Sequence, residues 1–198
     1  MFDKNLLTAV FIGRSGCGKG TQATLFKEYI KREYGSDVPF LYVETGQRFR
    51  DFIQQDSFSS RRSQEVMKDN ELQPSFLSTW MWASVFIDKM EENQHVVIDG
   101  SPRKVTEAQT LASALRFYGR HEPIIVHLNV SREWSKERLT SRGRYDDNDE
   151  GIEKRLDWFQ KEVAPAIEWF RNDGHFKYLD INGEQSIEKV HQDIIDSL

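Results

Sequence analysis

Residues 7–22 read LTAVFIGRSGCGKGTQ, and the fold follows from how this stretch is read. Leu7 to Ile12 is a nearly continuous apolar run, the pattern of a strand buried on both faces. Gly13, Gly16, Gly18 and Gly20 follow within eight positions. After them TQATLFKEYIKREY sets Ala23, Phe26, Tyr29 and Ile30 at helical spacing. Strand, glycine-rich loop and helix together form the context of a phosphate-binding loop. Glycine allows positive φ and close backbone approach to a ligand. Successive N–H groups then make an anion nest, and the following helix adds its positive dipole end. The loop residues Gly13, Ser15, Gly16, Cys17, Gly18, Gly20 and Thr21 are candidates to hold a triphosphate. Lys19 adds a full charge within reach of the β- and γ-phosphates. One position departs from G-x-x-x-x-G-K-[ST]: Gly20 stands where Ser or Thr is expected, with Thr21 after it.

The chain around this loop has 198 residues, which suits one α/β domain. A chain of this size buries roughly 70% of its unfolded surface. Acids outnumber Lys plus Arg by 32 to 27, giving a net charge of −5, which argues against non-specific nucleic-acid binding. Any anion site must therefore come from local concentration of Arg. Cys17 is the single cysteine, so no intrachain disulfide forms, a four-thiolate zinc site is excluded and no zinc is expected. There is no run of about 18 apolar residues and no signal-peptide pattern. The expectation is a soluble cytoplasmic protein with no membrane partner.

Short apolar runs recur at Leu7–Ile12, Phe40–Val43, Val96–Ile98, Ile124–Leu128 and Phe176–Leu179, with helical periodicity between them. That alternation predicts a five-stranded parallel sheet with helices on both faces. No composition break marks a domain boundary. After the second run, Thr45 is placed as a helix N-cap. The polar stretch Gln54–Pro74 predicts two short helices and a mobile flap. Pro74 then opens a helix whose Phe76, Leu77, Trp80, Met81, Val85, Phe86 and Met90 are read as core, with base stacking by Trp80 or Trp82 the less favoured role.

The third run ends in Asp99-Gly100-Ser101-Pro102-Arg103. An acid just past a buried strand in a phosphate-loop protein suits the water shell of Mg²⁺. Arg103 is projected toward the carboxyl ends of the strands, where ligands bind in such sheets. Farther on, Arg138, Arg142, Arg144 and Arg155 crowd around Asp146 and Asp147, and Gly143 breaks the helix between two of them. Arg presents a planar fork suited to phosphate oxygens. His95, His121, His127, His175 and His191 are scattered, and none is assigned a catalytic role.

Taken together, these segments resemble the nucleoside monophosphate kinase family, and within it the short-lid adenylate kinases most closely. GRSGCGKGTQ is similar to the family's phosphate loop, ETGQRFR to its Thr-Gly-Asp-Leu-Leu-Arg segment, DGSPR to its Asp-Gly-Phe-Pro-Arg motif, and RLTSRGRYDDN to its lid. The resemblance covers nearly the whole chain. It implies one kinase domain over residues 1–198, with a monophosphate-binding flap at about 45–75 and a short lid at about 138–150. It implies MgATP + AMP ⇌ 2 ADP, with Mg²⁺ as the ion carried by ATP and Asp99 holding it through water, catalysed by a monomer. Lys19, Arg103, Arg142, Arg144 and Arg155 would carry the transfer, and Arg138 would stack on the donor base. Thr45, Gly46, Arg50, Gln73, Gly100 and Arg103 would hold the acceptor, and Gln109 would read its base. Asp146 and Asp147 would orient the lid arginines.

Several departures from the family pattern bear on the acceptor. Gln47 replaces an Asp, Ser101 an aromatic residue and Gln73 an apolar one. The flap arginine expected near position 59 is missing, with Arg61 or Arg62 as substitutes. The lid lacks several residues between Arg142 and Arg144. The spacing from Arg103 to Gln109 leans toward UMP/CMP kinases, and Thr45 leans back toward AMP, which is favoured. A UMP/CMP kinase and a non-catalytic nucleotide-binding protein are the alternatives.

Overall fold

The structure, a computed structural model, describes residues 6–143 and 148–198. Five strands build one parallel sheet: β1 (Thr8–Gly13), β2 (Phe40–Glu44), β3 (His95–Asp99), β4 (Ile124–Asn129) and β5 (Lys177–Asn182). Their spatial order is β2-β3-β1-β4-β5. β1 and β3 are buried along nearly their whole length, as a central parallel strand must be when helices cover both faces. The period-two alternation splits their side chains between two cores. Val10, Ile12, Val96, Ile98 and Ile125 face one side, where α4 (Ser75–Lys89), α5 (Val105–Phe117) and α8 (Ala164–Asn172) pack. Ala9, Phe11, Val97, Val126 and Leu128 face α1 (Lys19–Tyr34) and α9 (Ile187–Asp196). Each fully buried Phe, Leu, Ile or Val side chain contributes about 1.5–3 kcal/mol to this arrangement.

The remaining helices stand around the carboxyl end of the sheet. They are α2 (Thr45–Phe52), α3 (Phe58–Lys68), α6 (Arg132–Arg142) and α7 (Asp149–Trp158), with one π-helical turn at Phe159–Val163 joining α7 to α8. Local chemistry sets their ends. Ser57 caps α3 through a reciprocal pair: it accepts from Ser60 N–H at 3.0 Å, and its own N–H donates to Ser60 Oγ at 2.9 Å. Asn148 Oδ1 caps α7 by accepting from Gly151 N–H at 2.7 Å. Gly143, at φ 65°, ends α6 in the left-handed conformation, so the Arg142-Gly143 helix break stands where the sequence puts it.

Three expectations change. The Gln54–Pro74 stretch holds one helix, α3, because Ser57 starts a single capped segment and residues 69–74 return without helix. On α4, Leu77, Met81, Val85 and Phe86 are buried, but Phe76 is 74% exposed and Trp80 is 49% exposed. A helix apolar nearly all round does not announce which face turns inward. The fifth strand starts one residue later than expected and runs on to Asn182, while Phe176 packs into the core before it. Among the described residues no helix is long and apolar enough to cross a membrane.

Candidate active site

β1 runs directly into the glycine loop, whose Gly16 and Gly18 take φ of 83° and 97°. Gly13 is required by contact as well: a Cβ there would lie 2.6 Å from Leu128 O and 2.9 Å from Cys17 Sγ. Lys19 opens α1, and its Nζ donates to Gly13 O at 3.0 Å and Arg14 O at 2.8 Å. The ammonium thus sits at the centre of the loop, where a phosphate oxygen can replace a carbonyl as its partner.

Two clefts meet above the sheet. The loop cleft, about 730 Å³, is lined by Gly16, Gly18, Lys19, Gly20, Thr21, Asp99 and Arg138. The flap cleft is lined by Thr45, Phe49, Met67, Gln73, Glu107, Arg155 and Trp158, among others. Ser15, Gly46, Arg50, Gly100, Arg103 and Arg142 line both. A smaller deep recess joins Lys19, Arg103 and Arg155 at the bottom. Cations from five separate elements therefore converge on one junction, although they are scattered along the chain.

Each cation is held in place. Arg50 NH2 reaches Glu44 Oε1 at 3.0 Å and Gln47 Oε1 at 2.7 Å, so Gln47 orients this arginine without neutralising it. Arg103 Nε donates to Gly100 O at 3.0 Å, and its backbone N–H to Glu107 Oε2 at 2.8 Å. Burial presses the pKa of Arg103 down, with Glu107 and Asp99 opposing. Arg155 is buried and donates from Nε to Gly151 O at 3.1 Å. Arg138 lies over the Trp134 ring, 4.7 Å from its centroid. Gly100, at φ 88°, packs against Thr45 and Gly46, and so locks the end of β3 to the start of α2.

Asp99 closes the floor of the loop cleft. It is 7% exposed, and a Cβ placed on Gly20 would lie 3.4 Å from its Oδ2. Burial raises its pKa, with the Lys19 charge opposing. A carboxyl with a raised folded pKa favours folding most below its unfolded pKa, and this is lost as pH rises through the folded value. Near neutral pH Asp99 is therefore a stability cost held for function. Asp99→Asn is expected to raise the thermal midpoint at neutral pH, with the gain vanishing only well below the ordinary Asp value of about 3.9, where the carboxyl is protonated in the folded and the unfolded chain alike. Turnover is expected to fall by roughly tenfold or more. Melting curves across pH check the sign: a lower midpoint for the variant at neutral pH would mean that the Lys19 attraction outweighs burial.

Thr45 is not the helix cap that the sequence suggests. Glu44 takes the N-cap position, and Thr45 is the first helical residue, with its hydroxyl buried and without a hydrogen-bond partner. Ser101 likewise has a buried, unpartnered hydroxyl in the flap cleft. Gln73 lines that cleft, but its side chain is turned into α3: Nε2 donates to Ser63 O at 3.0 Å and Oε1 accepts from Ser63 Oγ at 3.1 Å. Gln109 is brought to neither cleft; it is exposed on the outer side of α5, and Glu107 stands in the flap cleft in its place. Arg61 and Arg62 do not replace the missing flap arginine. They are exposed on α3 and pair with Asp56 and Glu65. Neither Trp80 nor Trp82 lines the clefts, whereas Trp158 does. Arg144, Asp146 and Asp147 lie outside the described residues.

The flap tip meets α7 across the mouth of its cleft. Lys154 Nζ donates to Asp69 O at 3.1 Å. The Asn70 side chain rests on Gly151, where a Cβ would lie only 2.5 Å from Asn70 Oδ1.

A phosphate loop on a parallel sheet, a second cleft under a helical flap and a shared arginine junction define a phosphoryl-transfer enzyme of the nucleotide kinase class. The family model for adenylate kinase matches residues 11–175. The chain is 31% identical over 194 residues to an adenylate kinase of Phocaeicola vulgatus, covering 96% of this chain and 97% of that protein. It is 30% identical to an adenylate kinase of Bacteroides thetaiotaomicron, covering 98% of each chain. It is also 30% identical to adenylate kinase 1 of a Nostoc species, covering 93% of this chain and 95% of that one. The chain belongs to the adenylate kinase family.

Proposed function

We propose that this protein catalyses reversible phosphoryl transfer from ATP to AMP, giving two ADP. The observation that carries the reading is that Arg50, Arg103 and Arg142 line both clefts at once. A group passing between two nucleotides travels through that junction. The transition state is loose, with charge spread over three phosphoryl oxygens, so catalysis needs positioning and cations and no covalent nucleophile.

In this reading the loop amides and Lys19 hold the β- and γ-phosphates of the donor, and Arg138 faces its base. Arg50 and Arg103 clamp the acceptor phosphate. Arg142 and Arg155, with Arg144 from the lid, meet the group in flight. Thr45, Gly46 and Gly100 shape the acceptor seat. The buried Asp99 carboxylate against Gly20 fits a Mg²⁺ ion held through water, and among the described residues no group of three or more His, Cys, Asp or Glu offers a direct ligand cage. The ion would offset charge on the triphosphate and keep its oxygens in line. We assign the reaction to a monomer, since residues of one chain suffice to line both clefts.

An inhibitor of two adenosines joined by five phosphates tests the reading. It is expected to bind one per chain and to compete with both ATP and AMP. Competition with only one of the two, or independent binding of two inhibitor molecules, would overturn it.

A further inference from the structure

A monophosphate that places its phosphate on the shared arginines leaves its base in the part of the flap cleft that the loop cleft does not share. That part is walled by Phe49, Met67, Leu72 and Trp158, apolar surfaces suited to a ring. Its fully buried ionisable side chain is Glu107, only 1% exposed. One use of Glu107 is structural, since Oε2 accepts the Arg103 N–H at 2.8 Å near the start of α5. A carboxylate has two oxygens and about four acceptor directions, so one such bond leaves most of its capacity free. Gln73 is committed to Ser63, and Glu71, the second carboxylate lining this part of the cleft, is exposed to solvent whereas Glu107 is buried. The buried hydroxyls of Thr45 and Ser101 lack protein partners, and either can donate or accept.

A pair of carboxylate oxygens asks for two adjacent donors. The pairing edge of guanine presents N1–H and the 2-amino group side by side, with O6 beside them for a hydroxyl donor. The pairing edge of adenine presents one donor, the 6-amino group, next to the N1 acceptor, which a carboxylate opposes. We propose that this cleft takes a guanine nucleoside monophosphate as a second phosphoryl acceptor beside AMP, with Glu107 accepting from N1–H and the 2-amino group. The inference rests on the ATP-dependent kinase reading above. In the step, the bond from the ATP γ-phosphorus to the β–γ bridging oxygen breaks and one from that phosphorus to a GMP phosphate oxygen forms. ADP and GDP leave, and no net proton is exchanged when the acceptor is a dianion.

Steady-state kinetics with ATP and Mg²⁺, using AMP, GMP and IMP as acceptors, tests this in the parent and in Glu107→Gln. Glutamine keeps an oxygen for the Arg103 N–H, and a thermal melt of the variant confirms folding. GMP is expected to be phosphorylated with kcat/KM within about a hundredfold of AMP. IMP, which lacks the 2-amino group, is expected to fall below GMP. A good bidentate contact discriminates by roughly ten- to a hundredfold, so the GMP-to-AMP ratio of kcat/KM is expected to drop about that much in the variant. GMP more than a hundredfold below AMP, IMP equal to GMP, or a ratio unmoved by the substitution overturns the proposal and leaves the AMP reaction standing. Failure of every acceptor in the parent removes the kinase reading itself.

Discussion

Lys19→Met is expected to lower kcat by about 10³-fold while leaving the fold intact. The side chains are of similar length, so methionine fills the same channel through the loop toward Gly13, Arg14 and Cys17. What disappears is the charge at the point where the loop cleft and the deep recess meet. Because phosphoryl transfer here relies on fixed cations, that single charge is a large share of the catalytic apparatus. A coupled assay for ADP measures the loss, and a thermal melt shows that the loop has not collapsed. A variant with turnover within tenfold of the parent would mean that the Lys19 ammonium does not face the transferring group. Loss of ATP binding with no parent turnover to lose would identify a sensor.

Arg155→Lys is expected to cost about 10²–10³-fold in kcat with little change in either KM. Lysine keeps the charge and removes the planar fork, so the experiment isolates geometry from electrostatics. Arg155 comes from α7, lines the flap cleft and the deep recess, and is held through Nε on Gly151 O. The same side chain borders the recess that Lys19 and Arg103 also line. An interaction made only as charge develops lowers kcat and kcat/KM together when it is removed. A rise in KM for AMP at constant kcat would move Arg155 from the transfer step to ground-state binding.

Much of this site can be read in the sequence because its signals are local. The glycine loop follows a strand by necessity, and Asp99-Gly100-Ser101-Pro102-Arg103 keeps its acid and its arginine within one turn of chain. Gln109 fails for a physical reason. Successive residues of a helix are separated by about 100°, so two positions carry a side chain to the opposite face. On α5 the inward face is marked by Ala108, Leu111, Ala112 and Leu115, all buried. Glu107 and Gln109 flank Ala108 about 100° to either side of that stripe, so spacing alone does not choose between them; the packed structure buries Glu107, one turn before Leu111, and leaves Gln109 exposed. Thr45 misleads in another way. A Thr before a helix suits a cap, but β2 enters α2 so directly that Glu44 takes the cap and the hydroxyl turns inward. The inward face of α4 was not legible, since its apolar residues surround the helix and only the sheet decides between them.

The meeting of Asn70 with Gly151 joins two tasks that a transferase must balance. In the kinase reading proposed above, the tip resting on the helix would keep bulk water from the phosphates, and its lifting would let product escape. A hydrogen atom in place of a methyl group sets how near those surfaces come, so in that reading leakiness and pace of release would both answer to one backbone position. A bulkier residue there would prop the door ajar, whereas a stronger clasp would keep spent nucleotide inside.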